Sequence, residues 1–234
     1  MNIIEVMKNK LRLESIDGAI LGVFGGMAVS LGGLGSAIIC AEVALMSSGF
    51  AKFLGAVIFP VGIVMIMCMR FELFTSNVLT VSCVSEEFKI TDICTFLTTI
   101  WLANLIGAII VACLSTKFGV LSSQAIAYIN NISQHKMQMS VYAMFTKAVF
   151  CNILVCIATV MGVKRNPLFA WIPVGLFVIC GFEHSIANMF YFACHVISDF
   201  LTVNVYELVT NLIVVTVGNI VGGIIVSKLL KYVE

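Results

Sequence analysis

The sequence predicts an all-α membrane protein of six transmembrane helices, arranged as two inverted three-helix repeats with the second and fifth helices broken. Three observations carry that expectation. With 61% hydrophobic and 11% charged residues over 234 positions, the chain holds more apolar surface than one soluble core of its size hides. Its apolar runs reach the spanning length of about 20 residues. Two of those runs are interrupted by similar polar segments.

Lys8, Lys10 and Arg12 are followed by Glu14 and Asp17 with no small-residue cleavage site, so the apolar run at 16–42 reads as a first helix and not as a signal peptide. Its glycines, among them Gly22, Gly25, Gly26 and Gly32, suit close helix packing. Further spans at 53–80, 93–114, 140–163, 167–197 and 203–228 complete one transmembrane domain over 1–234. The second span runs cleanly from Phe53 to Met69 and then meets Arg70-Phe71-Glu72-Leu73-Phe74-Thr75-Ser76-Asn77. The fifth carries Gly181-Phe182-Glu183-His184-Ser185-Ile186-Ala187-Asn188 at its middle. Ionisable groups at membrane depth are costly and face a cavity or a partner, which makes a functional site the default reading.

Aligned on each other, the two interruptions share Phe, Glu and Asn at the same spacing, with Glu72 and Glu183 lying 111 residues apart. The following helices agree, since Asn104-Leu105-Ile106-Gly107 echoes Asn219-Ile220-Val221-Gly222, 115 residues on. A repeat with three crossings returns its second copy upside down, and paired broken helices in such repeats point to a binding site at the bilayer midplane. Lysine and arginine counts set the orientation: Lys8, Lys10, Arg12, Lys89, Lys164, Arg165, Lys228 and Lys231 flank one side, and Lys52, Lys117 and Lys136 the other. Both termini are therefore expected to be cytoplasmic. Arg70 and Lys147 are left over, each needing a partner or a route to the interface.

His184 sits at both membrane depth and a helix break, where an imidazole can donate a hydrogen bond to an anion or lend a proton to a weak acid. Thr75 is its hydroxyl-bearing counterpart in the first break. Glu72, Glu183, Asn77, Asn188 and Asn152 are expected to brace backbone and neighbouring helices, because a bare carboxylate lining an anion path repels its cargo. Phe59, Ile63, Phe74 and Phe177 are core-like by residue type alone. The nine cysteines contain no CxxC pair and mostly lie in apolar segments, which fits packing rather than metal binding. A net charge of +1 without a basic run argues against nucleic acid as partner.

The stretch Gly181-Phe182-Glu183-His184-Ser185-Ile186-Ala187-Asn188-Met189-Phe190 resembles the signature of the formate/nitrite transporter family. Glu72-Leu73-Phe74-Thr75-Ser76, Asn104-Leu105-Ile106-Gly107-Ala108 and Cys151-Asn152-Ile153-Leu154-Val155-Cys156 are similar to its other motifs, and the likeness runs from about residue 16 to 230. The resemblance implies aquaporin-like protomers in a homopentamer of the inner membrane, each with its own pore for formate, nitrite or hydrosulfide, and no cofactor, metal or enzymatic activity. It implies His184 at the pore centre with Thr75 across from it, and Phe59, Ile63, Phe74 and Phe177 lining two hydrophobic slits. Lys136 falls where the family has an anion-attracting vestibule lysine, and Lys8 or Lys10 is the candidate for its cytoplasmic counterpart. Only about fifteen residues precede the first span, so gating by a longer N-terminal segment is not implied.

Two other readings compete. An aquaporin-like channel for small neutral solutes shares the architecture, but paired Asn-Pro-Ala boxes are missing. A membrane redox protein with haem on His184 and His195 needs ligands from facing helices, whereas these two histidines share one segment.

Overall fold

The computed structural model describes residues 2–84 and 87–232, whose regular elements are all helices, with no strand among the described residues. A short helix α1 (Ile3–Leu11) leads into α2 (Ser15–Val43), followed by α3 (Ser48–Ile58), α4 (Val61–Met69) and α5 (Phe74–Asn77), which runs on into a 3-10 turn at Val78–Cys83. Then come α6 (Ile90–Lys117), α7 (Ser123–Met137), α8 (Val141–Lys164), α9 (Trp171–Ile179), α10 (Ser185–Asp199) and α11 (Val205–Leu229). Five stretches, Ser15–Val43, Ser48–Met69, Ile90–Lys117, Val141–Lys164 and Val205–Leu229, are long and apolar enough to cross a bilayer, and Pro167–Ile179 is a shorter apolar helix.

Helices lie along each of the expected stretches, with ends displaced by a few residues, and the stretch at 167–197 is divided between α9 and α10. The second begins at Ser48 because the Ser47 hydroxyl accepts from the Phe50 N–H and caps the helix ahead of the apolar run. It carries one unexpected interruption at Phe59-Pro60, between α3 and α4, where proline has no N–H to give to the ladder. Two helices, α1 and α7, were not expected, since neither contains a spanning run.

Close backbone approach sets the pairing of α2 with α6 and of α8 with α11. A Cβ on Gly107 would collide with the Val23 carbonyl, and one on Gly222 would collide with the Val149 carbonyl. The two contacts are alike, a glycine against a valine carbonyl in each, with Val23 and Val149 lying 126 residues apart and Gly107 and Gly222 lying 115 apart.

Helix α1 is capped by the Asn2 side chain, which accepts from the Ile4 and Glu5 amides. It buries Ile3 and Met7 completely against Leu79, Cys83, Cys156 and Val226. Its end is tied down by Arg12, whose Nε and Nη2 donate to Glu87 Oε1 at 3.2 and 2.5 Å. The Arg12 hydrogen bond holds the Glu87 carboxyl below the usual carboxylate range. Of the cations that set the expected orientation, the Lys231 side chain lies outside the described residues.

Candidate functional site at the two helix breaks

Both interrupted helices end in the same way. Arg70 takes a left-handed conformation with φ 57°, and the Phe71 N–H reaches back to the Ile66 carbonyl at 2.9 Å. Gly181 does so with φ 64°, and the Phe182 N–H bonds the Phe177 carbonyl at 3.0 Å. This is a Schellman closure, and it turns the chain out of helix. Leu73 and His184 are then extended before α5 and α10 restart.

A restarting helix leaves first-turn N–H groups without intrahelical acceptors. One asparagine from the neighbouring helix serves each break. Asn104 Oδ1 accepts from the Phe74 N–H at 2.9 Å, while its Nδ2 donates to the carbonyls of Glu72 and Gly22 at 2.9 and 2.6 Å. Asn219 Oδ1 accepts from the Ser185 N–H at 2.9 Å, while its Nδ2 donates to the carbonyls of Glu183 and Ala148 at 2.9 and 2.8 Å.

The carboxylates are inward and paired. Glu72 receives Lys10 Nζ and Asn77 Nδ2, both at 2.6 Å. Glu183 receives Lys136 Nζ at 2.8 Å and Asn188 Nδ2 at 2.7 Å. Arg70, left over in the sequence and in need of a partner or a route to the interface, lies only two residues from Glu72. It does not pair with that carboxylate: Arg70 turns out to the exposed side as the helix cap, and Lys10 comes in from α1. Asn152 Nδ2 donates to the Asn219 carbonyl at 2.6 Å and so ties α8 to the second brace.

The two breaks meet at His184 and Thr75, whose Nε2 and Oγ1 are 2.9 Å apart, with both side chains buried. The Ala187 N–H donates to His184 Nδ1 at 3.1 Å. With Nδ1 accepting, the neutral ring carries its proton on Nε2 and donates it towards Thr75. The Phe177 ring stacks on the imidazole at 5.7 Å, and Phe59 meets Phe177 edge-on at 5.6 Å. A cavity of about 370 Å³ reaches this group from the α7 side, lined by Phe59, Phe177, Glu183 and His184 at its inner end. Ile63 and Phe74 are buried in the same core and do not line that cavity.

A helical protein with paired broken spans and a buried imidazole between them matches a known family profile, described as Formate/nitrite transporter, over residues 1–233. The chain belongs to the formate/nitrite transporter family. It is similar to a probable formate transporter of Methanothermobacter thermautotrophicus, at 29% identity over 94% of this chain and 88% of that one. It is also similar to the formate channel FocA of Haemophilus influenzae, at 31% identity over 76% of this chain and 72% of that one. Among solved structures, a pentameric formate channel with formate bound superposes with a TM-score of 0.86 at 27% identity, covering 94% of this chain and 96% of that one. As a formate/nitrite transporter family member, the chain is a multi-pass membrane protein.

Some members of the site escaped sequence reasoning. Asn211 Oδ1 accepts from Asn188 Nδ2 at 2.9 Å and its own Nδ2 donates to the Lys136 carbonyl at 2.9 Å, so α11 also holds α7 in place. Thr159 Oγ1 donates to Ser76 Oγ at 2.9 Å. The available signal for Asn211 was its amide inside an otherwise apolar span.

Proposed function

We propose that the chain forms a passive or proton-coupled path for small monovalent weak-acid anions, formate, nitrite or hydrosulfide, with one pore in each protomer. The observation that carries this reading is the 2.9 Å contact between His184 Nε2 and Thr75 Oγ1 at the junction of the two breaks. A solute arriving from the cavity sheds water against Phe59 and Phe177 and meets an imidazole N–H, a hydroxyl and first-turn amides, which replace its hydration. Ile63 and Phe74 belong to the slit on the far side. Crossing an apolar constriction is far cheaper for the neutral acid than for its anion, so protonation near His184 eases passage.

Each protomer comprises two inverted three-helix repeats of aquaporin-like design. The protomers assemble as a homopentamer, as in the solved formate channel to which the chain is similar. The flanking cation counts put both termini on the cytoplasmic side of the inner membrane.

Flux of formate, nitrite and hydrosulfide into proteoliposomes, followed against pH, tests the reading. The wild type is expected to carry at least one of the three, and His184→Phe to abolish proton-coupled uptake. Unaltered pH dependence in that variant rules out the relay, and absent flux of all three anions overturns the function.

A further inference from the structure

We propose that Lys147 and Lys52 form an anion-collecting site in the wide vestibule, holding a small monovalent anion ahead of the Phe59–Phe177 constriction. The proposal rests on the anion-conducting reading and deepens it. The expected attractor, Lys136, is spent: its Nζ lies 2.8 Å from the Glu183 carboxylate, and the side chains are only 13% and 1% exposed. Seen from the vestibule, that pair carries no net charge, and its field falls off faster than that of a lone cation.

Lys52 on α3 and Lys147 on α8 line the same cavity as His184, and among the described residues Glu183 is the single acidic side chain in its lining. Among the described residues, neither lysine has a carboxylate within ion-pair distance. Three lysines therefore face one carboxylate, leaving two uncompensated positive charges in a cleft with low-dielectric walls, an arrangement that focuses the field and raises the local anion concentration. Lys147 also stands inside an apolar span, where a cation without a partner is costly unless it serves a water-filled path. It is not a product of the repeat. The spacing of 126 that relates Lys10 to Lys136 puts Leu21, not a cation, opposite Lys147.

Formate flux into proteoliposomes at low and high ionic strength tests this with Lys147→Gln, Lys52→Gln, the double variant and Lys147→Arg. At low salt the double variant is expected to raise the half-saturating formate concentration roughly tenfold while lowering maximal flux much less. The difference should shrink near 1 M salt, where screening acts within about 3 Å. Lys147→Arg should keep the wild-type value. Half-saturation and salt dependence unchanged in both glutamine variants overturn the proposal.

Exposed Cys180 lines the same cavity and gives a second readout that needs no variant lysine to insert. The part of thiol labelling lost in Cys180→Ala should be faster with an anionic than with a cationic methanethiosulfonate, and this preference should fade with salt. Equal rates overturn the site. A wild type that labels with this preference but carries no anion overturns the conduction reading alone, whereas wild-type flux with indifferent variants overturns only the collecting site.

Discussion

Arg70 and Gly181 hold the same left-handed turn, φ 57° and 64°, at the end of the half-helix that precedes each break. The second break uses the residue that adopts this conformation freely, and the first pays a steric cost for a Cβ in it. Gly181 has open space where a Cβ would sit, so a substitution there is opposed by conformation alone. Arg70→Gly should raise stability by up to about 1 kcal/mol, and Gly181→Ala should lower it by about 1 kcal/mol. Thermal unfolding in detergent measures both, and shifts in the same direction would sink this account of the turns.

The breaks were legible because their chemistry is local: glutamate with Phe before it and Asn five residues after it interrupts an apolar run twice. The long-range braces were only partly legible. Asn104 and Asn219 announced themselves as amides in apolar helices, but Lys10 did not reveal that it would reach Glu72, since 62 residues separate them and α1 has no spanning run. A signal lay in the spacing, because Lys10 and Lys136 lie 126 residues apart, as Val23 and Val149 do. What the sequence hid entirely is that Lys136 is neutralised, a fact of geometry rather than of residue type.

The Lys136–Glu183 pair is buried, so breaking it from one side differs from removing it. Lys136→Met strands a carboxylate that is 1% exposed and should cost roughly 3–5 kcal/mol. Adding Glu183→Gln keeps the hydrogen bond from Asn188 without a charge and should recover most of that loss. A double variant no more stable in detergent than Lys136→Met would show that the pair is not the unit holding α7 to the second break.

At the junction of the two breaks the hydroxyl of Thr75 is the acceptor for the His184 Nε2–H. Thr75→Val leaves that buried donor unpaired at a cost of about 1–2 kcal/mol, whereas Thr75→Ser keeps the oxygen. Formate flux should fall roughly tenfold in the valine variant and stay near wild type in the serine variant. Equal flux in both would mean that the hydroxyl has no part in the path.

Gly26 ties helix packing to the site through one neighbour. A Cβ there would collide with the backbone carbonyl of Asn104, the residue whose side chain braces Phe74, Glu72 and Gly22 at the first break. Backbone cannot yield as a flexible side chain does, so Gly26→Ala must push α2 from α6 and carry Asn104 with it. The overpacking should cost about 2–3 kcal/mol, and displacement of the brace should slow flux as well. Gly49, with nothing within 4 Å of its added Cβ and a place in the first turn of α3, is the matched control. There alanine removes backbone freedom from the unfolded chain and should leave stability equal or higher by up to about 1 kcal/mol. If Gly26→Ala were as stable and as active as Gly49→Ala, the close approach of α2 to α6 would not be what positions the break.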